Sequence, residues 1–179
     1  DSDQVKIDSV SMSQVADTTN YSTENKCVLV LLESINHIDR REQVNTFFYA
    51  LRAALPDFVN SGDSIQIAVF NLRQDNTRVL KKLHNGFTDD IEVLQTALDN
   101  YDPSSERESK AVSEIPGAIN EGIALLVDVP VSFNKSILLL SEERTNLYST
   151  QRTFVNVIKN AQEKEIVVNT IKYNRAGYL

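Results

Sequence analysis

Two short, uninterrupted apolar runs, Val28–Leu32 and Ile137–Leu140, constrain the fold of this chain more than any other feature. Each run has the length of a strand and is far shorter than the roughly 20 residues that a membrane-spanning helix needs. A strand that is apolar at every position has to be covered on both faces. This pattern is typical of parallel sheets between two layers of helices.

Amphipathic helices are predicted in the segments around these strands, because apolar residues recur there at steps of three and four. An Asp-x-x-Glu capping pattern precedes two of the helices, at Asp39–Glu42 and Asp89–Glu92. The first helix is expected to stop near Pro56. The apolar positions of the four helices are Val44, Phe47, Phe48, Leu51 and Leu55; Ile91, Leu94, Leu98 and Tyr101; Ile119, Ile123 and Leu126, after Pro116 in the first turn; and Phe154, Val157, Ile158 and Ala161.

A hairpin interrupts the alternation of strands and helices. Strands are predicted over 64–72 and 79–83, and the turn between them is too short for a parallel crossover, so the two strands must be antiparallel. A last strand is predicted over 166–171. The expected fold is therefore an α/β three-layer sandwich, in which a central, mostly parallel sheet with one antiparallel edge strand lies between helices on both faces.

The domain organisation follows from the same pattern. Residues 5–12 alternate between apolar and polar, and a polar stretch follows them, so residues 1–25 are predicted to form an N-terminal edge strand and a polar loop. Residues 26–179 are expected to form one domain. The chain starts without an initiator Met, which favours a trimmed or processed protein and leaves open whether it belongs to a larger multidomain chain.

Charge and cysteine content exclude several classes of protein. The net charge of −7 argues against binding to nucleic acid, which needs a basic surface, and against docking on an anionic membrane. We expect no direct membrane insertion. Cys27 is the single cysteine of the 179 residues, so an internal disulfide and a multi-cysteine metal site are impossible. Its place at the start of an apolar strand predicts a packed thiol rather than a nucleophile.

The order of elements resembles the von Willebrand factor A (vWA) domain, also called the I domain of integrins. The segment "SGDSIQIAVFN" is similar to the second strand of that family, and "IPGAINEGIALLVD" is similar to its central helix. "ILLLSEE" and "EIVVNTIKYN" match later strands. The resemblance covers roughly residues 26–175 and implies the fold described above, with ligand recognition at the carboxyl ends of the strands.

The family's metal-ion-dependent adhesion site is degenerate in this sequence. The resemblance places Glu33 at the first Asp, Ile35 and His37 at the two Ser, Ala118 at the Thr and Glu142 at the late Asp. Both carboxylates remain, each one methylene longer, but all three hydroxyls are lost. Because Mg²⁺ requires oxygen ligands in near-octahedral geometry, the resemblance implies a site without the usual metal, and no cofactor is expected.

The resemblance implies a non-catalytic protein-interaction module, for adhesion or assembly, whose protein partner docks at the carboxyl ends of the strands. The location is unknown from the sequence, and a cell-surface, periplasmic or extracellular one is favoured. The face would consist of the degenerate metal-site positions Glu33, Ile35, His37, Ala118 and Glu142, and of the loop residues Asp102, Ser104, Ser105, Glu106, Arg107, Gly117, Glu143, Arg144 and Asn146.

Two alternatives remain open at the level of sequence. Glu33, His37 and Glu142 could form an atypical metal-dependent binding or hydrolase-like site, since two carboxylates and one imidazole are a known ligand set. The domain could instead have a structural role in a larger chain. The second histidine, His84, lies in a predicted turn and is expected to be solvated. No Gly-x-Ser-x-Gly or phosphate-loop motif is present, and no catalytic residue is predicted.

Overall fold

The structure is a computed structural model that describes residues 25–33, 41–70, 80–102, 115–142 and 147–173. Strands and helices alternate along these ranges in the predicted order, with the hairpin in the predicted place. The elements are β1 (Lys26–Glu33), α1 (Arg41–Phe58), β2 (Ser64–Phe70), β3 (Lys81–Lys82), α2 (Ile91–Asp99), α3 (Ile115–Val127), β4 (Asn134–Glu142), α4 (Leu147–Glu163) and β5 (Val167–Tyr173).

The five described strands form one sheet in the order β3-β2-β1-β4-β5. β1 pairs in parallel with β2 and β4, and β4 pairs in parallel with β5. β3 is antiparallel to β2 and lies at one edge. The predicted fold class is thus confirmed: a mostly parallel sheet with one antiparallel edge strand, covered by helices on both faces. The two apolar runs form the centres of β1 and β4.

Alternate residues of the central strands contribute to two separate cores, one on each face of the sheet. On the face that α1 and α2 cover, the core includes Val30, Leu32, Leu51, Leu55 and Leu94. On the other face, which we call the α3/α4 side, the core includes Leu29, Leu31, Ile119, Ile123 and Val157. The inner face predicted for α3 is confirmed, since Ile119, Ile123 and Leu126 are all buried.

Gly122 allows α3 to pack closely against the sheet. A Cβ atom at Gly122 would come within 2.9 Å of Leu29 Cδ2 and 3.1 Å of Ile137 Cδ1. Real Cβ atoms almost never approach another heavy atom so closely, because interiors are packed near crystal density. The glycine therefore sets the distance between the central helix and the two central strands.

α1 ends at Phe58, close to the proline near which it was expected to stop. Pro56 lies in the last turn of α1, which reaches Phe58. A proline has no N–H, so the carbonyl four residues earlier, that of Arg52, loses its helical partner. The side chain of Gln95 in α2 donates to this carbonyl at 3.3 Å. A neighbouring helix thus supplies the missing donor, which the spacing of apolar residues alone could not reveal.

Two details predicted for α2 are wrong. Its N-cap is Asp90, which accepts hydrogen bonds from Glu92 N and Val93 N, rather than Asp89. Asp89 instead accepts from Gly62 N at 2.8 Å. The helix also ends at Asp99, so Tyr101 follows α2 and is not part of its apolar face.

Several predictions concern residues outside the described ranges. These are the N-terminal strand over 5–12 and the Asp39 half of the first capping pair. None of the described helices is both long enough and apolar enough to cross a membrane.

Candidate functional site at the carboxyl ends of the strands

The topology brings most of the predicted face to one end of the sheet. Each of the four parallel strands β1, β2, β4 and β5 ends there. α1, α3 and α4 begin at this carboxyl end, because each helix returns the chain to the amino end. α2 runs the other way, from the amino end to the carboxyl end, because the antiparallel β3 has already returned the chain to the amino end. The residues just after α2 therefore also lie at the carboxyl end.

Glu33 is the last residue of β1 and lies in the middle of this end. It is paired in register with Phe70 of β2, and only 7% of it is exposed. Because side chains alternate along a strand, Glu33 is on the same side of the sheet as Leu29 and Leu31, the α3/α4 side. A carboxylate is thus buried at the position where the resemblance places the first metal-site residue.

Ala118 lies on the same side of the sheet, in the first turns of α3. It is fully buried and packs in the core that contains Leu29 and Leu31. Its neighbour Gly117 is partly exposed. Ala118 therefore presents a methyl group to the core where the resemblance places a threonine hydroxyl. A partner could not contact this side chain at the surface.

Glu142 and Asp102 are the remaining predicted residues that the structure places. Glu142 ends β4, beside β1, and is paired in register with Tyr173. The pairing of Leu32 with Leu140 puts the backbones of Glu33 and Glu142 close together, one strand apart and one residue out of register. Asp102 is exposed and follows α2 at the same end.

The other predicted site residues lie outside the described ranges. They include both positions that would complete a degenerate metal site after β1, and most of the polar loop before α3. Within the ranges that the structure describes, no group of three or more His, Cys, Asp or Glu side chains could hold a metal ion. The predicted residues outside these ranges are Ile35, His37, Ser104, Ser105, Glu106, Arg107, Glu143, Arg144 and Asn146.

Sequence reasoning missed an aromatic and cationic cluster at the carboxyl end. The ring of Tyr101 stacks on Phe48 of α1, with centroids 5.2 Å apart. The Nζ atom of Lys81 lies 5.7 Å from the centroid of Tyr101, within the range of a cation–π interaction. The assignment of Tyr101 to the apolar face of α2 concealed this cluster, which joins α1, β3 and the end of α2.

Cys27 and His84 could take part in other chemistry, but their surroundings indicate structural roles. Cys27 is buried near the amino end of β1, as predicted, and burial raises the pKa of its thiol to about 11, although Lys135 lowers it somewhat. A thiol with this pKa is almost entirely protonated at neutral pH and is a poor nucleophile. His84 was expected to be solvated, and this is wrong: it is half-buried and accepts a hydrogen bond from Ile67 N.

No protein-family model matches the sequence, and no curated protein matches it. Solved structures do match. Two crystal forms of proximal thread matrix protein 1 from the mussel byssus are 13% and 11% identical, with TM-scores of 0.59 and 0.63. They cover 83% and 87% of this chain, and 38% and 39% of their own.

The manganese-loaded TRAP protein of Plasmodium vivax is 11% identical, with a TM-score of 0.63, and the match covers 83% of this chain and 57% of that one. Both proteins contain vWA-type domains. At these identities the likeness shows the fold alone: the chain has a vWA-like α/β fold. The matched part spans less than two thirds of the length of each of these proteins.

Proposed function

We propose that this domain is a non-catalytic protein-interaction module that binds a protein partner at the carboxyl ends of its strands without a divalent metal. Interaction or adhesion is the role that the vWA-like neighbours suggest at the level of the family. The observation that carries the metal-free part is the environment of Ala118. Its methyl group is fully buried in the core, at the position where a metal-binding vWA domain would present a hydroxyl.

The chemistry of the remaining positions supports the same proposal. Mg²⁺ and Mn²⁺ prefer several oxygen ligands around the ion, and the sequence supplies none at Ala118 or Ile35. One neighbour, the TRAP protein of Plasmodium vivax, is itself loaded with manganese. Two carboxylates, Glu33 and Glu142, are all that remains of the oxygen ligands at these positions.

A surface for the partner is also available at the same end of the sheet, on the side that α1 and α2 cover. Asp102 is exposed, and the Tyr101 ring, which lies beside it in sequence, carries the Lys81 ammonium group over one face. Exposed charges beside an aromatic group are typical of the polar rim and anchors of a protein interface. We propose that this cluster forms part of the rim of the docking face.

The matched pair of substitutions Asp102→Arg and Asp128→Arg tests the location of the face. Both aspartates are exposed and both substitutions reverse a charge, but Asp128 follows α3 at the opposite, amino end of the sheet. Wild type and both variants are immobilised and incubated with an extract of the source cells, in EDTA and in Mg²⁺. Retained proteins are then quantified by mass spectrometry.

We expect a protein that wild type retains equally in EDTA and in Mg²⁺. Its recovery should fall about tenfold for Asp102→Arg and stay unchanged for Asp128→Arg, because a like or mispaired charge at an interface costs more than about 1.4 kcal/mol. Retention only in Mg²⁺ would contradict the metal-free proposal and favour the alternative site at Glu33, His37 and Glu142. Equal loss for both variants, or loss only for Asp128→Arg, would contradict the location.

A further inference from the structure

The pairing of β3 with β2 contains a gap that two side chains fill. Ala68 pairs with Lys82, and Leu83 N donates to Ile67 O at 2.9 Å. Pairing resumes only at Ile65, which exchanges two backbone hydrogen bonds with Thr88. One residue of β2 therefore faces four residues of the hairpin, so the backbone alone cannot continue the ladder.

Gln66 and His84 bridge this gap by a reciprocal exchange. The side-chain amide of Gln66 donates to the backbone carbonyl of His84 at 3.0 Å. In return, the Nε2 atom of His84 accepts the backbone N–H of Ile67 at 3.0 Å. Gln66 is only 1% exposed, so this polar pair is set into an otherwise apolar strand. Each side chain replaces a backbone group that the neighbouring strand fails to supply.

The exchange requires one particular protonation state of the imidazole. Nε2 can accept the Ile67 N–H only with a free lone pair, so the ring proton of a neutral His84 is on Nδ1. The Nδ1 atom is buried and has no hydrogen-bond partner among the described residues. A second proton, on Nε2, would face the N–H of Ile67 and break this hydrogen bond.

We propose that His84 makes the attachment of the edge hairpin sensitive to pH. Neutral His84 holds β3 on β2, and protonated His84 releases the hairpin from Ile67. His84 lies on the same hairpin as Lys81. Release of the hairpin would therefore disturb the cluster of Lys81 and Tyr101 at the carboxyl end. This inference concerns the strand edge and does not depend on the proposed function.

Burial influences the pKa of His84 more than the charged groups on neighbouring elements do. β2 carries no ionisable side chain, and Lys81 and Lys82 of the hairpin are exposed. Asp89 accepts from Gly62 N, and Glu121 of α3 accepts from Leu80 N. Burial lowers the pKa of His84 below its ordinary 6.5, and the backbone of Asn85 opposes this shift by a smaller amount.

The sign of the pH effect follows from this direction. When the pKa is lower in the folded than in the unfolded state, the unfolded chain takes up the proton first. The stability that neutral His84 contributes is complete above pH 6.5, and it is lost as the pH falls from there through the pKa of the folded protein. Protonation of the folded protein then opens the hairpin locally.

NMR of the His37→Gln variant tests the proposal, because His84 is then the only histidine of the chain. The imidazole resonances give the pKa of His84, and hydrogen exchange between about pH 4.5 and 7.5 gives the protection factor of the Ile67 amide, corrected for the intrinsic rate. The amide of Val30, in the centre of the sheet, is the internal control.

We expect His84 to titrate below 6.5 and the protection of Ile67 to fall about tenfold across the same titration, while that of Val30 stays constant. In a second variant, His84→Gln, the neutral amide oxygen can still accept from Ile67, so the pH dependence should disappear. A pKa at or above 6.5, or an Ile67 amide whose protection ignores the titration of His84, would overturn the proposal.

Discussion

The two ends of the sheet each carry a buried carboxylate, in different surroundings. At the amino end, Asp63, Asp89 and Asp90 each accept backbone N–H groups from nearby turns and helix starts. Asp63 accepts the most hydrogen bonds of the three. It is 6% exposed and accepts from Lys26 N, Asn60 N and the Asn60 side chain. At the carboxyl end, Glu33 is buried to a similar extent, at the tip of the central strand.

The surroundings suggest different roles for the two ends. The amino-end aspartates accept backbone N–H groups from the start of β1, from turns and from the start of α2. The carboxyl end has three helix N-termini, those of α1, α3 and α4, whose dipoles favour negative charge nearby. A buried carboxylate such as Glu33 can persist there without a metal. The substitutions below test whether the two ends differ in this way.

The largest effect is expected for Asp63→Ala. It leaves the backbone N–H groups of Lys26 and Asn60 without their acceptor in a partly buried turn, and each such group costs about 1–3 kcal/mol. We expect the free energy of unfolding to fall by about 3 kcal/mol, measured by urea denaturation. A loss below about 0.5 kcal/mol would show that Asp63 does not hold the amino end together.

The pH dependence of the same residue gives a second check. Burial would raise the pKa of Asp63, but the hydrogen bonds from Lys26 and Asn60 and the charge of Lys26 together lower it below 3.8. Its stabilisation is therefore complete above pH 3.8 and is lost as the pH falls through the pKa of the folded protein. The stability difference between wild type and Asp63→Asn should shrink over that range. A difference that stays constant would contradict this assignment.

The corrected helix cap predicts an intermediate effect. Asp90→Ala removes the acceptor for Glu92 N and Val93 N and should lower the free energy of unfolding by about 1 kcal/mol. Its matched control is Asp89→Ala, which removes one exposed hydrogen bond to Gly62 N and should cost about 0.5 kcal/mol. If Asp89→Ala costs more stability than Asp90→Ala in thermal or urea denaturation, Asp89 and not Asp90 is the cap.

The smallest effect on stability is expected for Glu33→Gln, at less than about 1 kcal/mol. The amide keeps the shape of the side chain and removes the cost of burying a charge, which roughly offsets the weaker hydrogen bonding. Recovery of the partner should nevertheless fall. If this substitution destabilises the protein as much as Asp63→Ala, the two carboxylates have the same structural role and the contrast between the two ends fails.

The sequence predicted the architecture well because the fold depends on long-range hydrophobic pattern. The runs in β1 and β4 and the apolar face of α3 are properties of many residues together, and a short turn dictated the antiparallel hairpin. The errors involve single side chains. Asp89 and Asp90 both fit a cap one residue apart, and the acceptor for Gly62 lies far away in sequence. Likewise, the exchange between Gln66 and His84 exists only after β3 pairs with β2.

The candidate site was less accessible to sequence reasoning for a similar reason. The resemblance identified Glu33 and Ala118 by position, and the structure adds that one is a buried carboxylate and the other a fully buried methyl group. Burial depends on how α3 packs across the sheet at Gly122, which no local pattern encodes. The Tyr101 cluster remained hidden because its partners come from α1 and β3.

The thermal midpoint of the wild-type domain in EDTA and in increasing Mg²⁺ or Mn²⁺ tests the central claim most directly. A ligand that binds only the folded state raises the midpoint in proportion to the logarithm of its concentration, once that concentration exceeds the Kd. The account predicts the same midpoint at every concentration up to the millimolar range. A saturable rise that Glu33→Gln abolishes would contradict it and would show that the carboxyl-end face holds a metal.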